Sequence, residues 1–250
     1  MRGLTDKGVL VTGGSSGIGK ATVARFLQEG SRVHFCGIDP AEVAETLTEL
    51  SPLGVVTGTA CDVADEDSVH ELVRAAESTL GSIDVLINNA GIAHKDAFLE
   101  MDVAEWDRTL RVNLRGMFLV AQAVARRMVP RGAGVIVNMA STNALGGEQD
   151  FAHYNASKGG VLQLTRTMAV ELGSFGVRVN CLCPGFIHTP LNDALSDPAS
   201  DEAYARDKVP LGRAGTSEEV AAAYAFLASD EASFIHGAAL VIDGGQTAVM

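Results

Sequence analysis

The stretch Val9-Leu-Val-Thr-Gly-Gly-Ser-Ser-Gly-Ile-Gly-Lys20 opens on an apolar run and closes on the first turn of a helix-period segment spanning residues 18–29. A short apolar strand that breaks at glycines and re-enters as a helix is the first half of a β-α-β unit. Glycine at 13, 17 and 19 permits a tight turn and a close approach of backbone to a ligand. The helix that starts there presents unpaired amides and the positive end of its dipole, which suit a phosphate without any basic side chain. The turn therefore predicts a phosphate-bearing ligand contacting Gly13, Ser15, Ser16, Gly17, Ile18 and Gly19.

Outward from this turn the same rhythm repeats. Apolar runs at 9–12, 32–37, 54–60, 85–88, 134–139, 177–182 and 239–242 alternate with amphipathic stretches at 18–29, 41–50, 68–80, 106–128, 154–175 and 217–228. Runs such as Val85-Leu-Ile87 and Val135-Ile-Val137 are continuously apolar, as strands covered on both faces must be. The pattern predicts an α/β fold: a doubly wound, Rossmann-type, seven-stranded parallel sheet with helices on both faces. No linker, repeat or low-complexity tract divides the 250 residues, so one domain is expected. Residues 185–213 have weak periodicity, and an irregular segment of that length reads as a substrate lid.

Composition narrows the function classes. Hydrophobic residues make up 47% and charged residues 20%, which is ordinary for a globular chain with a large core. A net charge of -12 argues against nucleic acid or an anionic membrane as partner. The absence of a signal-like or membrane-length apolar run points to a cytoplasmic protein. The cysteines Cys36, Cys61, Cys181 and Cys183 sit in apolar runs with no histidine or second pair to complete a ligand set, so buried thiols and no metal site are expected.

The glycine spacing, Gly13-x-x-x-Gly17-x-Gly19, differs from the G-x-G-x-x-G of many dinucleotide-binding folds. It resembles the turn of short-chain dehydrogenases/reductases, and further motifs arrive in that family's order. Asn88-Asn-Ala-Gly91 follows the fourth run and Asn113 stands in Asn-Leu-Arg-Gly-Met-Phe118. Ser141 follows the fifth run, and Tyr154-Asn-Ala-Ser-Lys158 opens the next helix. Pro184-Gly185 follows the sixth run and Asp243-Gly-Gly245 the seventh. The likeness spans residues 8 to 245.

Tyr154 and Lys158 are four apart and share a helix face. A nearby ammonium, and the positive ring of an oxidised nicotinamide, favour phenolate and so equip Tyr154 to exchange a proton with a substrate oxygen. Ser141, past a strand end, can donate a hydrogen bond to that oxygen. The resemblance implies the rest: Lys158 binds the nicotinamide ribose, and Asn113 holds a proton-relaying water. It also implies that Asp62 and Val63 meet the adenine, Asn89, Ala90 and Gly91 line the adenosine ribose, and Val112 backs that pocket. Pro184, Gly185, Ile187 and Thr189 would hold the carboxamide. A homotetramer is implied as well, with the helices at 106–128 and 154–175 reserving a face for neighbours.

NAD and NADP differ at the end of the second run, Cys36-Gly-Ile-Asp-Pro40, where an acidic residue binds both ribose hydroxyls and repels a phosphate. Gly37 occupies the position at which relatives carry aspartate. Asp39 stands twenty residues past Gly19, and Lys20 is the one basic residue at hand, so the charge favours NAD over NADP with Asp39 on the ribose. Polar residues His94, Lys95, Asn143, Glu148, Gln149 and His188 around the expected site favour a small sugar, polyol or hydroxy acid as substrate. Alternatives are a 3-oxoacyl thioester reductase and a catalytically silent cofactor-binding sensor. A hydrolase is disfavoured because no Gly-x-Ser-x-Gly elbow occurs.

Overall fold

The structure is a computed structural model that describes residues 1–193, 195 and 197–248. Residues 194 and 196 of the expected lid, and residues 249 and 250, lie outside the described residues. Among the described residues the elements run β1 (Gly8–Thr12), α1 (Gly17–Gln28), β2 (Arg32–Gly37), α2 (Pro40–Leu50), β3 (Val56–Ala60), α3 (Glu66–Leu80) and β4 (Val85–Asn88). They continue with α4 (Val103–Leu110), α5 (Met117–Met128), β5 (Gly134–Met139), α6 (Ala152–Leu172) and β6 (Val177–Pro184). The chain ends with α7 (Pro190–Asp193), α8 (Pro198–Lys208), α9 (Ser217–Ala228) and β7 (Ala239–Ile242).

The seven strands form one sheet in the order β3-β2-β1-β4-β5-β6-β7, every neighbouring pair parallel. Successive residues of a strand point to opposite faces. Val9 and Val11 enter one buried cluster with α1 and α9, while Leu10 enters the other with α3 and α5. Val85 and Ile87 divide from Leu86 in the same way, as do Val137 and Ile136. This two-sided burial is why the strands read as unbroken apolar runs.

Local sequence sets the helix starts. Asp65 caps α3 by accepting from the Ser68 amide at 2.8 Å, and Thr216 and Glu219 cap α9 reciprocally. Several sequence-based boundaries shift. Residues 106–128 are not one helix: α4 and α5 are joined by a π-helical segment, Arg111–Gly116. Residues 185–213 are not irregular throughout, since they contain α7 and α8. The first two residues of the expected third strand, 54–55, precede β3, after a 3-10 turn at Ser51–Leu53. No helix among the described residues is long and apolar enough to cross a membrane.

Candidate active site

Strand order reverses between β1 and β4, so the connections leaving these strands diverge and leave a crevice at the carboxyl end of the sheet. A cavity of about 480 Å3 lies there. Its wall includes Gly13, Ser15, Ser16, Gly17, Ile18 and Gly19 of the first turn, Asp62 and Val63 after β3, and Asn89, Ala90 and Gly91 after β4. Val112, Ser141, Tyr154, Lys158, Pro184, Gly185, Ile187 and Thr189 complete the expected set on that wall.

The turn is built to cradle an anion. Gly13 and Gly17 have φ of 64° and 49°, a region that side chains rarely adopt. Ser16 occupies the N-cap of α1 without a side-chain hydrogen bond, which leaves the first-turn amides open toward the cavity. Thr12 Oγ1 accepts from the Asn89 and Ala90 amides, both at 3.0 Å, and Asn89 Nδ2 donates to the Gly13 carbonyl at 3.2 Å. These bonds lock the first turn against the loop after β4. A Cβ on Gly13 would come within 2.9 Å of the Ala90 Cα, so backbone packs on backbone here. A pyrophosphate-bearing dinucleotide fits this surface.

The expected reacting residues stand on α6 and just after β5. Lys158 lies one turn beyond Tyr154, its Nζ 5.4 Å from the ring centroid and 2.9 Å from the Met139 carbonyl to which it donates. Lys158 is 2% exposed, and burial pushes its pKa down to about 8. Burial likewise pushes Tyr154 up to about 12; a hydrogen bond with Ser141 pulls the other way and the charge of Glu148 adds to the rise. The expected acidification of Tyr154 is thus not what these side chains produce alone, because desolvation outweighs the Ser141 hydrogen bond.

A second cavity, about 200 Å3, meets the first at Ser141, Tyr154, Gly185, Leu191 and Asn192. Its outer wall carries Lys95, Asn143, Glu148, Phe186, Asp201 and Tyr204. Tyr204 of α8 accepts from Gln246 Nε2 at 2.9 Å and packs on Phe186 with ring centroids 5.0 Å apart. The segment after β6 is thereby anchored over the site by a residue that follows β7.

A family model described as enoyl-(acyl carrier protein) reductase matches residues 13–247. The chain belongs to the short-chain dehydrogenase/reductase family. It is 42% identical to a D-threitol dehydrogenase of Mycolicibacterium smegmatis, over 98% of this chain and 94% of that one. It is 41% identical to a 3-oxoacyl-acyl-carrier-protein reductase of Thermotoga maritima, over 97% and 98%. The crystal structure of a levodione reductase superposes with a TM-score of 0.94 at 36% identity, covering 98% of this chain and 99% of the other. This short-chain dehydrogenase/reductase is accordingly an oxidoreductase acting on CH–OH groups.

Two expected contacts of this short-chain dehydrogenase/reductase stand elsewhere. Asp39 is not on the cavity wall: its carboxylate caps α2 by accepting from the Ala41 amide at 2.7 Å. Of the acids that follow β2, the one that lines the cavity beside Asp62 is Glu42, one turn further on, whose carboxylate accepts from Ser15 Oγ at 3.1 Å. Only proximity through the α2 turn reveals Glu42, and sequence spacing alone favoured Asp39. Lys20 forms an ion pair with Glu49 of α2. Asn113 is fully buried behind the wall; its amide exchanges two hydrogen bonds with the Ile92 backbone, both at 2.8 Å, and donates to Ser157 Oγ. Arg108 and Arg111 also line the cavity, as residues of α4 and the π segment that no motif signalled.

The polar rim residues divide. Lys95, Asn143 and Glu148 line the second cavity, whereas His94 lies near Arg108 and Glu105. All four cysteines are free and buried.

Proposed function

We propose that this enzyme interconverts a secondary alcohol and a ketone, with NAD as preferred cofactor and a small polar hydroxy compound as substrate. The observation that carries the reading is the junction of the two cavities at Ser141 and Tyr154, with Lys158 buried behind the ring. A nicotinamide dinucleotide bound along the glycine turn, Asp62, Val63, Asn89–Gly91, Lys158 and residues 184–189 would supply the hydride donor or acceptor and, when oxidised, a positive charge.

The chain's own groups handle the proton. Tyr154 is neutral near pH 7, as a phenol ordinarily is, and burial raises its pKa further, so it holds a proton at its phenol oxygen for delivery to a ketone oxygen. In the reverse direction the phenol first releases its proton to solvent, and the resulting phenolate, favoured by the Lys158 ammonium, receives the alcohol's proton. Ser141 orients the substrate oxygen and, turning its hydroxyl proton away from Asn143 Oδ1, donates to it as charge develops. Asn113 holds the loop after β4 in place through Ile92. The segment 185–213, with α7 and α8, acts as the lid that excludes water.

Glu42 supports the NAD preference. A carboxylate beside Ser15 and Gly37 can accept both ribose hydroxyls and would repel a phosphate there. Titration with NADH and NADPH, followed by nicotinamide fluorescence, is expected to show at least tenfold tighter NADH binding. Glu42→Gln should narrow that ratio, and equal or tighter NADPH binding by the wild type would overturn the preference. Nicotinamide absorbance with a panel of sugars, polyols and 3-oxoacyl thioesters tests the substrate class. The polar wall of the second cavity favours the former over thioesters.

We further assign a homotetramer acting in the cytoplasm. Exposed Val103, Phe118 and Val170 on α4, α5 and α6 support subunit contacts, which light scattering would measure.

A further inference from the structure

The cavity beside Ser141 and Tyr154 has three charged residues on its described wall, Glu148, Asp201 and Lys95. Two carboxylates against one ammonium leave it net negative. That ammonium also donates to the Leu195 carbonyl at 3.2 Å.

Glu148 is wired to the reacting end through Asn143. Asn143 Nδ2 donates to Glu148 Oε2 at 2.9 Å, and Ser141 Oγ donates to Asn143 Oδ1 at 3.1 Å. The Asn143 amide is held in this orientation because Nδ2 also donates to Asn155 Oδ1 at 2.7 Å. Asn155 cannot flip, since its own Nδ2 donates to the Glu148 carbonyl at 2.9 Å. The carboxylate is therefore fixed two hydrogen bonds from Ser141, and only Oε2 is engaged by a hydrogen bond among the described residues. Its charge is felt on both aromatic walls, where it pushes the Tyr154 and Tyr204 phenols upward.

We infer that Glu148 determines which substrate enters: an uncharged polyhydroxy compound whose hydroxyl beside the reacting carbon donates to the Glu148 carboxylate. A hydroxy acid would bring a second negative charge beside that carboxylate, and a thioester lacks the donor. This inference rests on the alcohol–ketone reading above and narrows it to one half of its substrate range.

The test compares erythritol with 3-hydroxybutyrate, four-carbon alcohols that differ in charge, each assayed with NAD and NADP. Wild-type kcat/KM is expected to be at least tenfold higher for erythritol. Glu148→Gln, which can still accept from Asn143, should narrow that preference at least fivefold, chiefly through KM, and Glu148→Lys should reverse it. Saturation-transfer NMR on the cofactor-loaded enzyme supplies a readout independent of turnover. Erythritol that binds in preference to 3-hydroxybutyrate but is not oxidised would overturn the assigned reaction and uphold the selectivity of Glu148. Preference for 3-hydroxybutyrate in binding or turnover, or a ratio unmoved by both substitutions, would overturn the inference itself.

Discussion

Lys158 Nζ lies 5.4 Å from the centre of the Tyr154 ring and donates to the Met139 carbonyl at 2.9 Å. The ammonium is thereby held between the ring and the end of β5, in a position set by α6 and the sheet together. In the proposed reaction Tyr154 carries the proton. Tyr154→Phe should lower turnover by about 10^3-fold, within the range of general acid–base effects. Affinity for NADH should stay within about twofold, as measured by fluorescence titration. Retention of full turnover would rule out the assigned mechanism.

Burial of Lys158 has a stability cost with a defined pH window. Its pKa drops from an ordinary 10.5 to about 8. Below pH 8 both folded and unfolded chains are protonated and the folded chain bears the whole desolvation cost. Between pH 8 and 10.5 the unfolded chain binds a proton that the folded chain has released, so this group's contribution to stability improves as pH rises. Lys158→Met should therefore be more stable than wild type at pH 7, by about 1–3 kcal/mol once the lost bond to Met139 is counted. Urea denaturation of the pair should show the difference shrinking toward pH 10 while activity is lost throughout.

The same titration should be visible in catalysis. Tyr154 stays protonated well beyond pH 10 in the free enzyme, whereas Lys158 loses its charge near pH 8. For ketone reduction, kcat/KM should fall as pH rises through about 8. A profile flat to pH 10 would exclude a role for the Lys158 ammonium.

Thr12 is fully buried and its hydroxyl accepts from two amides, those of Asn89 and Ala90. Thr12→Val keeps the shape and strands both donors. A loss of about 2–4 kcal/mol in urea denaturation is expected, together with weaker cofactor binding because the two loops are no longer joined. A change under 0.5 kcal/mol would show that the loops are held by other contacts.

Asp39 and Glu42 should separate cleanly. Asp39→Ala removes the cap of α2 and should cost about 1 kcal/mol, measured by thermal or urea unfolding. The ratio of NADH to NADPH affinity should remain within about twofold, in contrast to Glu42→Gln. A collapse of the ratio in Asp39→Ala would return the ribose contact to Asp39.

Much of the molecule was legible from the chain alone. Strand periodicity is a local property, so Val9–Val11 or Val135–Val137 announce a strand covered on both faces before any partner is known. The glycine turn and the Tyr154–Lys158 spacing are equally local. One requires backbone conformations that glycine supplies, and the other follows from the helical repeat. The order of these signals was enough to foresee a parallel doubly wound sheet with a reacting group near its carboxyl edge.

Tertiary structure decided what depends on distance and dielectric. Asp39 and Glu42 are both acids near the end of β2, and only the α2 turn shows that one caps a helix while the other lines the cavity. Tyr204, Gln246 and Phe186 come from three distant parts of the chain, and no spacing rule links them. The pKa values of Tyr154 and Lys158 depend on how fully each is removed from water, a quantity that packing alone sets. Sequence determined which chemistry the chain could attempt, because residue type and local repeat are written in it. The fold decided which carboxylate lines the cavity and how far each titrating group is withdrawn from water, because electrostatic energies follow separation and burial.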